Sequence, residues 1–165
     1  MLNAARMTIK NTGVSIQNQF FYLQNFITSP RTMGTLMPSS PWLCHAMLSQ
    51  IDWATSLEIA ELGAADGVLT RRILSRMRAD AKLEAFEIQP AFVRKLNQMD
   101  DPRLQVMAHS AEHMSTQYDA VFSCLPLLSM PVRTSIRILQ ATRQQLKEKD
   151  GVLVLFQYSH LSEKL

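Results

Sequence analysis

The run Ile59-Ala60-Glu61-Leu62-Gly63-Ala64-Ala65-Asp66-Gly67-Val68-Leu69-Thr70 constrains the fold more than any other part of the chain. It opens as an apolar stretch of strand length, breaks at small residues, and resumes as the start of a helix. Strand, tight small-residue turn and helix in that order make a βα unit. In such a unit the backbone of the turn can come close to a nucleotide-like ligand. The dinucleotide pattern G-x-G-x-x-G is not met, because Val68 and Leu69 leave no third small residue at the required offset.

The remaining chain repeats the alternation. Strands are expected over 57–62, 82–88, 103–108, 118–123 and 152–157, with helices over 67–78, 90–97 and 131–149. Upstream, Ile16, Phe20, Leu23 and Ile27 recur at helical spacing, and Phe21, Tyr22 and Phe26 widen that face. An amphipathic helix over 14–28 is therefore expected, stopped by Ser29-Pro30. A loop follows, ending in Ser40 as N-cap and Pro41 as first helical residue, with a helix to about Gln50. Interleaved strands and helices imply an α/β fold: a mostly parallel, doubly wound sheet in a three-layer sandwich. With 165 residues, one domain is expected, residues 1–40 forming the helix and a lid or substrate segment, and 41–165 the core.

Composition narrows the class. Cys44 and Cys124 form no C-x-x-C pair, so neither a disulfide framework nor a metal knuckle is indicated, and a reduced, cytoplasmic setting is expected. No apolar run reaches membrane-spanning length and no signal peptide is visible, so any membrane contact would be peripheral, at the inner face. Net charge is only +3, but residues 1–51 hold Arg6, Lys10 and Arg31 without one acid, and Arg71, Arg72, Arg76 and Arg78 share a predicted helix. That skew suits phosphate backbone or acidic lipid; a solvated helix face accounts for it equally well.

The acid two residues before Gly63, with small residues at alternate positions after it, resembles motif I of the S-adenosylmethionine (SAM) methyltransferases. Glu87, closing the second core strand, stands where a carboxylate can accept both ribose hydroxyls of a nucleoside. The loop Ser123-Cys124-Leu125-Pro126-Leu127-Leu128 and the segment Met33-Gly34 to Pro38-Ser39-Ser40 extend the likeness. Together they resemble the bacterial phospholipid N-methyltransferases, small class I methyltransferases related to the ribosomal RNA adenine dimethylases, over roughly residues 20–160.

The resemblance implies a Rossmann-like class I fold and SAM as cofactor, leaving S-adenosylhomocysteine as product. It implies that Glu61, Gly63, Ala64, Ala65 and Gly67 shape the methionine side of the pocket, that Glu87 holds the ribose, and that Ile88 packs on the adenine. Ser110 and Ala111 would flank the base. Ser123, Cys124 and Leu125, with Leu127, would line the transfer site, closed from the other side by Met33, Gly34 and Ser39. The sequence departs from the family in three places: Ala65 replaces a central glycine, Ser110 replaces an Asp, and the chain ends at Leu165, before the usual β hairpin.

In the adenine dimethylases an Asn and an aromatic residue flank the Leu-Pro pair; here Cys124 and Leu127 occupy those places. Cys is a poor acceptor and Leu has no π face, so RNA ranks behind a phospholipid amine as substrate. A protonated amine must lose its proton before attack, and Ser123, the Leu125 carbonyl, Tyr22, Tyr158 or solvent could take it. His45, His109, His113 and His160 are expected to be surface or capping residues, and no metal is expected. The N-terminal helix could enter an anionic membrane surface or act as a lid. A degenerate relative without activity is the remaining alternative.

Overall fold

The computed structural model describes residues 17–25 and 41–158, the first stretch and Tyr158 as backbone alone. In chain order the elements are β1 (Gln17–Asn25), α1 (Pro41–Leu48), β2 (Glu58–Leu62), α2 (Val68–Arg76), β3 (Lys82–Phe86), α3 (Pro90–Leu96), β4 (Leu104–Met107), a 3-10 turn (Ala111–His113), β5 (Ala120–Ser123), α4 (Val132–Gln145) and β6 (Lys149–Tyr158). The strands form one sheet in the order β1-β6-β5-β2-β3-β4. Every pairing in it is parallel.

The order follows from crossover geometry. The chain steps outward from β2 through β3 to β4, then returns across β2 to place β5 and β6 on its other side. Right-handed crossovers put α2 and α3 on one face and α4 on the other. Side chains alternate between the faces. Ile59, Leu83, Ala120, Phe122, Val154 and Phe156 pack with Leu43, Met47 and Ile73 of α1 and α2. Ala60, Leu62, Phe86, Val121 and Leu153 pack with Ile138 and Leu146 of α4 and its C-cap. Both faces are covered, so the strands read as near-continuous apolar runs.

The far ends of the strands are tied by Asp119. Its carboxylate accepts the Leu57 and Glu58 N–H groups at 3.0 and 2.9 Å and the Lys147 ammonium at 2.7 Å. On the same side, Trp53 donates Nε1–H to the Leu48 carbonyl at 2.8 Å and stacks on Phe122. The arginines grouped on the sequence of α2 are used locally. Arg71 reaches the Asp66 carbonyl, Arg76 the His45 ring, and Arg78 pairs with Asp80.

One expected element changes type. The helix expected over 14–28 is replaced by the strand β1, which pairs with β6 from Gln17 opposite Lys149 to Asn25 opposite Tyr158. Phe20, Phe21 and Tyr22 are strand formers, and a short apolar run fits either period. What decides is tertiary: β6 presents a long edge of unpaired N–H and C=O groups, which β1 satisfies. The membrane and lid readings both assumed a helix there; the rest of residues 1–40 lies outside the described residues. Smaller shifts are α4 ending at Gln145 rather than near 149, and β6 starting at Lys149. Asp150, the second residue of β6, sits at φ 65°, a conformation Asp tolerates.

At Gly151 an added Cβ would lie 2.5 Å from the Lys147 carbonyl oxygen and 3.0 Å from its nitrogen, both backbone atoms. Gly151→Ala is expected to cost about 1–3 kcal/mol through this overlap, read as a lower urea midpoint with unchanged m-value.

Candidate functional site

Because all strands run the same way, their carboxyl ends share one edge, and the chain reverses direction of travel between β2 and β5. Ligands in open α/β sheets bind at such a switch point. Two loops border it, 63–67 after β2 and 124–131 after β5. A cleft of about 270 Å³ opens there, lined by Glu61, Gly63, Ala65, Asp66, Lys95 and Cys124 among others. That is near the lower end of the ~300–1,000 Å³ usual for small-molecule sites.

The loop after β2 is a succession of left-handed residues: Gly63 at φ 78°, Ala65 at 48° and Gly67 at 81°. Gly63 and Gly67 fit this without strain, whereas Ala65 holds a conformation costing roughly 1–2 kcal/mol for a residue with a Cβ. Space adds little to this: a Cβ on Gly63 would meet the end of the Leu125 side chain, and one on Gly67 the terminal methyl of Met99, both of which can swing aside. Gly63 and Ala64 donate their N–H groups to the Phe86 carbonyl at 2.9 and 3.2 Å, which docks the loop on β3.

Glu87 completes that docking. Its Oε2 accepts the Ala65 N–H at 2.9 Å, and its Oε1 accepts the N–H groups of Ile88 and Gln89 at 2.9 and 2.8 Å. A carboxylate has about four acceptor positions, so three are occupied by backbone. The side chain expected to hold a ribose diol therefore first holds the turn, with one position left over. Beside it Ile88 is 69% exposed, an apolar side chain at the strand's carboxyl end that is not part of the cleft lining.

Glu61 lies under the loop, buried, and accepts a 2.6 Å bond from the Thr70 hydroxyl of α2. Burial pushes its carboxyl up to about 8, opposed by the Thr70 bond and reinforced by the charges of Glu87 and Asp66. At neutral pH it is largely protonated, and a cation entering the cleft would favour its ionised form.

Across the switch point, β5 ends in Ser123, whose hydroxyl is the one buried side-chain polar atom without a hydrogen-bond partner among the described residues. Cys124 follows, lines the cleft, and has its thiol pushed up by desolvation, so thiolate chemistry is disfavoured there. Leu127 is buried against α4, away from the cleft lining.

The Leu125 carbonyl does not fit the role of a proton acceptor. It already accepts the Leu127 N–H at 2.8 Å and Gln157 Nε2–H at 2.5 Å. Gln157, buried at the end of β6, also accepts the Leu128 N–H at 3.3 Å. Ser135 of α4 adds a 2.8 Å bond to the Leu127 carbonyl. The loop after β5 is thus pinned from two elements.

Other expected residues are placed differently. Ser110 caps the 3-10 turn, accepting the Glu112 N–H at 3.2 Å, so its hydroxyl is not held for a base. Ala111 is buried beneath it. His109 is exposed and sits edge-on to Phe86, 5.5 Å between ring centres. Tyr22 lies opposite Leu155, which lies opposite Ser123, two strands or about 10 Å away along the sheet row. Met33, Gly34 and Ser39 fall outside the described residues. Among the described residues no cluster of metal-ligating side chains exists.

Thr70, Lys95 and Gln157 were not anticipated. Thr70 sits in the first turn of α2, where the βα turn brings it back onto Glu61 of β2, while Lys95 and Gln157 carry no local signal.

Two outcomes follow from the carboxylates. Glu87→Gln, which places an amide N–H against backbone donors, is expected to cost about 1–3 kcal/mol and to loosen the loop, visible as faster hydrogen exchange at Ala65. For Glu61 the folded group keeps a proton that the unfolded chain loses near 4.5. Stability therefore falls as pH rises from about 4.5 to 8. Glu61→Gln should remove that slope, with a melting-temperature gain over wild type that is larger at pH 8.5 than at pH 5.

Comparison with known proteins fits this geometry. No family model matches the chain. Over 137 residues it is 28% identical to ornithine lipid N-methyltransferase of Singulisphaera acidiphila, covering 77% of this chain and 71% of that protein. SAM-bound CalS10, an amino pentose methyltransferase from Micromonospora echinaspora, superposes with a TM-score of 0.58 at 16% identity, over 74% of this chain. N-methyltransferase NodS from Bradyrhizobium japonicum WM9, in complex with S-adenosylhomocysteine, gives a TM-score of 0.56 at 13% identity, over 67% of this chain. The chain spans 51% and 58% of the length of those two structures. The shared fold is that of the Rossmann-like class I methyltransferases, and the sequence is similar to that of a bacterial lipid N-methyltransferase.

Proposed function

We propose that the protein is a SAM-dependent N-methyltransferase acting on the amine of a membrane lipid of the phosphatidylethanolamine type. The observation that carries this reading is the cleft at the β2–β5 switch point, bounded by a left-handed loop and by the buried carboxyl of Glu61, with Glu87 holding the loop from behind. Bound SAM would supply a methyl group already activated on a sulfonium. Glu61 suits the ammonium of its methionine part, Lys95 is the basic side chain of the lining, and Ile88 offers the adenine an apolar face. Glu87 keeps the loop closed and has one acceptor position for a ribose hydroxyl.

The chain's own contribution to transfer is alignment and exclusion of water. The loop after β5 is apolar and fixed by Gln157 and Ser135, which suits a lipid amine better than a flipped base. With the Leu125 carbonyl engaged, the unpartnered Ser123 hydroxyl can accept a hydrogen bond from the amine and orient it, while the departing proton passes to solvent. The likeness to ornithine lipid N-methyltransferase favours a second amino-lipid substrate. RNA adenine as substrate rests only on the Leu-Pro loop.

Methyl-labelled SAM should label phosphatidylethanolamine vesicles, or ornithine lipid if the second substrate is correct. Label appearing in RNA alone would transfer the protein to the adenine methylases. If no acceptor is labelled, and calorimetry finds no S-adenosylhomocysteine binding at millimolar ligand, the protein is a degenerate relative.

A further inference from the structure

Helix α4 carries two apolar stripes. The inner one contains Ile138, with Ser135 and Thr142, and is buried against the sheet. The outer one is formed by Val132, Ile136 and Leu139, which recur at i, i+4 and i+7, roughly 100° around the helix from the buried face at 100° per residue. It is continued by Leu128, in the loop after β5. These side chains are 71%, 48%, 40% and 68% exposed, respectively. Single exposed apolar residues need no explanation, but four aligned ones do.

Two further observations say what the stripe suits. Exposure is greatest at Leu128 and Val132, next to the cleft, and falls towards Leu139. The helix also holds Arg133, Arg137 and Arg143 and not one acid, so the element is cationic along its length. An apolar stripe bordered by arginines, with its most exposed members at one end, has the chemistry of an element that dips into the headgroup region of an anionic bilayer. Among the described residues no helix is long and apolar enough to cross a membrane.

We infer that Leu128 and the outer stripe of α4 form the membrane-docking face, seating the protein on an anionic lipid surface with the cleft mouth at the headgroup level. This rests on the lipid reading above, and it moves the membrane contact from the N-terminal segment to the start of α4. Entry of Leu128 and Val132 would bring the β5 loop to the level where a lipid amine resides. Arg133 and Arg143 would meet lipid phosphate or carboxylate, Arg137 being ion-paired with Glu112 at 3.5 Å, making attachment dependent on anionic lipid and on ionic strength.

The test is co-sedimentation of the full chain with vesicles of phosphatidylcholine containing 30% phosphatidylglycerol, against pure phosphatidylcholine. Wild type should bind the anionic vesicles and be released by high salt. Val132→Asp/Ile136→Asp should weaken binding at least tenfold, and Arg133→Glu should weaken it while flattening the salt dependence. S-adenosylhomocysteine binding by calorimetry and the melting temperature should stay as in wild type. If cofactor binding is absent in wild type yet vesicles are bound, the methyltransferase reading fails and the docking face stands. The proposal is overturned if the double variant binds vesicles like wild type. It is equally overturned if that variant loses several degrees of melting temperature, because the stripe is then covered by the chain itself. A dimeric wild type made monomeric by the double variant also overturns it, a second copy then being the occupant.

Discussion

The structure turns on one carboxylate. Glu87 sits at the tip of β3 and receives backbone N–H groups from its own strand exit and from the turn after β2. Those donors converge on a part-buried carboxylate, and leaving them unpaired would cost more than pairing them gains. Their convergence fixes three consecutive features: the angle at which α2 leaves the sheet, the left-handed path of residues 63–67, and the depth of the cleft beneath it. Ala65 keeps its strained conformation because this clamp, together with the bonds from Gly63 and Ala64 to Phe86, over-determines it.

A second support acts from the other side. Gln157 and Ser135 hold the loop after β5 through its own carbonyls and N–H groups, and Leu127 anchors it by burial against α4. Leu125 and Pro126 are thus free to be apolar. A loop stiffened from behind can present a greasy surface towards a lipid without collapsing into the cleft, which is filled on its floor by Glu61 and Thr70.

Much of this was legible in the chain. The five core strands β2 to β6 and their intervening helices fall where the apolar periods put them, because each is a local pattern reinforced by its burial. The glycines at 63 and 67 and the acid at 87 likewise announce themselves by spacing. What could not be read depends on distance in sequence. Whether residues 17–25 become helix or strand is decided by the free edge of β6, which no local window contains. The engagement of the Leu125 carbonyl depends on Gln157, and the capping role of Ser110 on the turn it begins. Glu87 stands at the strand end its spacing implies, but its backbone partners were invisible.

The parallel pairing of β1 with β6 also has a consequence for how the molecule is born. An antiparallel hairpin can close as soon as its second strand emerges, whereas here the earliest strand finds its mate only after the whole intervening sheet has been made. Until then Phe20, Phe21 and Tyr22 have no ladder to join, and the nascent chain must keep an adhesive segment in solution through the synthesis of five other strands. Final closure of the sheet is therefore a late, long-range event, and the segment waiting for it is where misassembly between neighbouring nascent chains would begin.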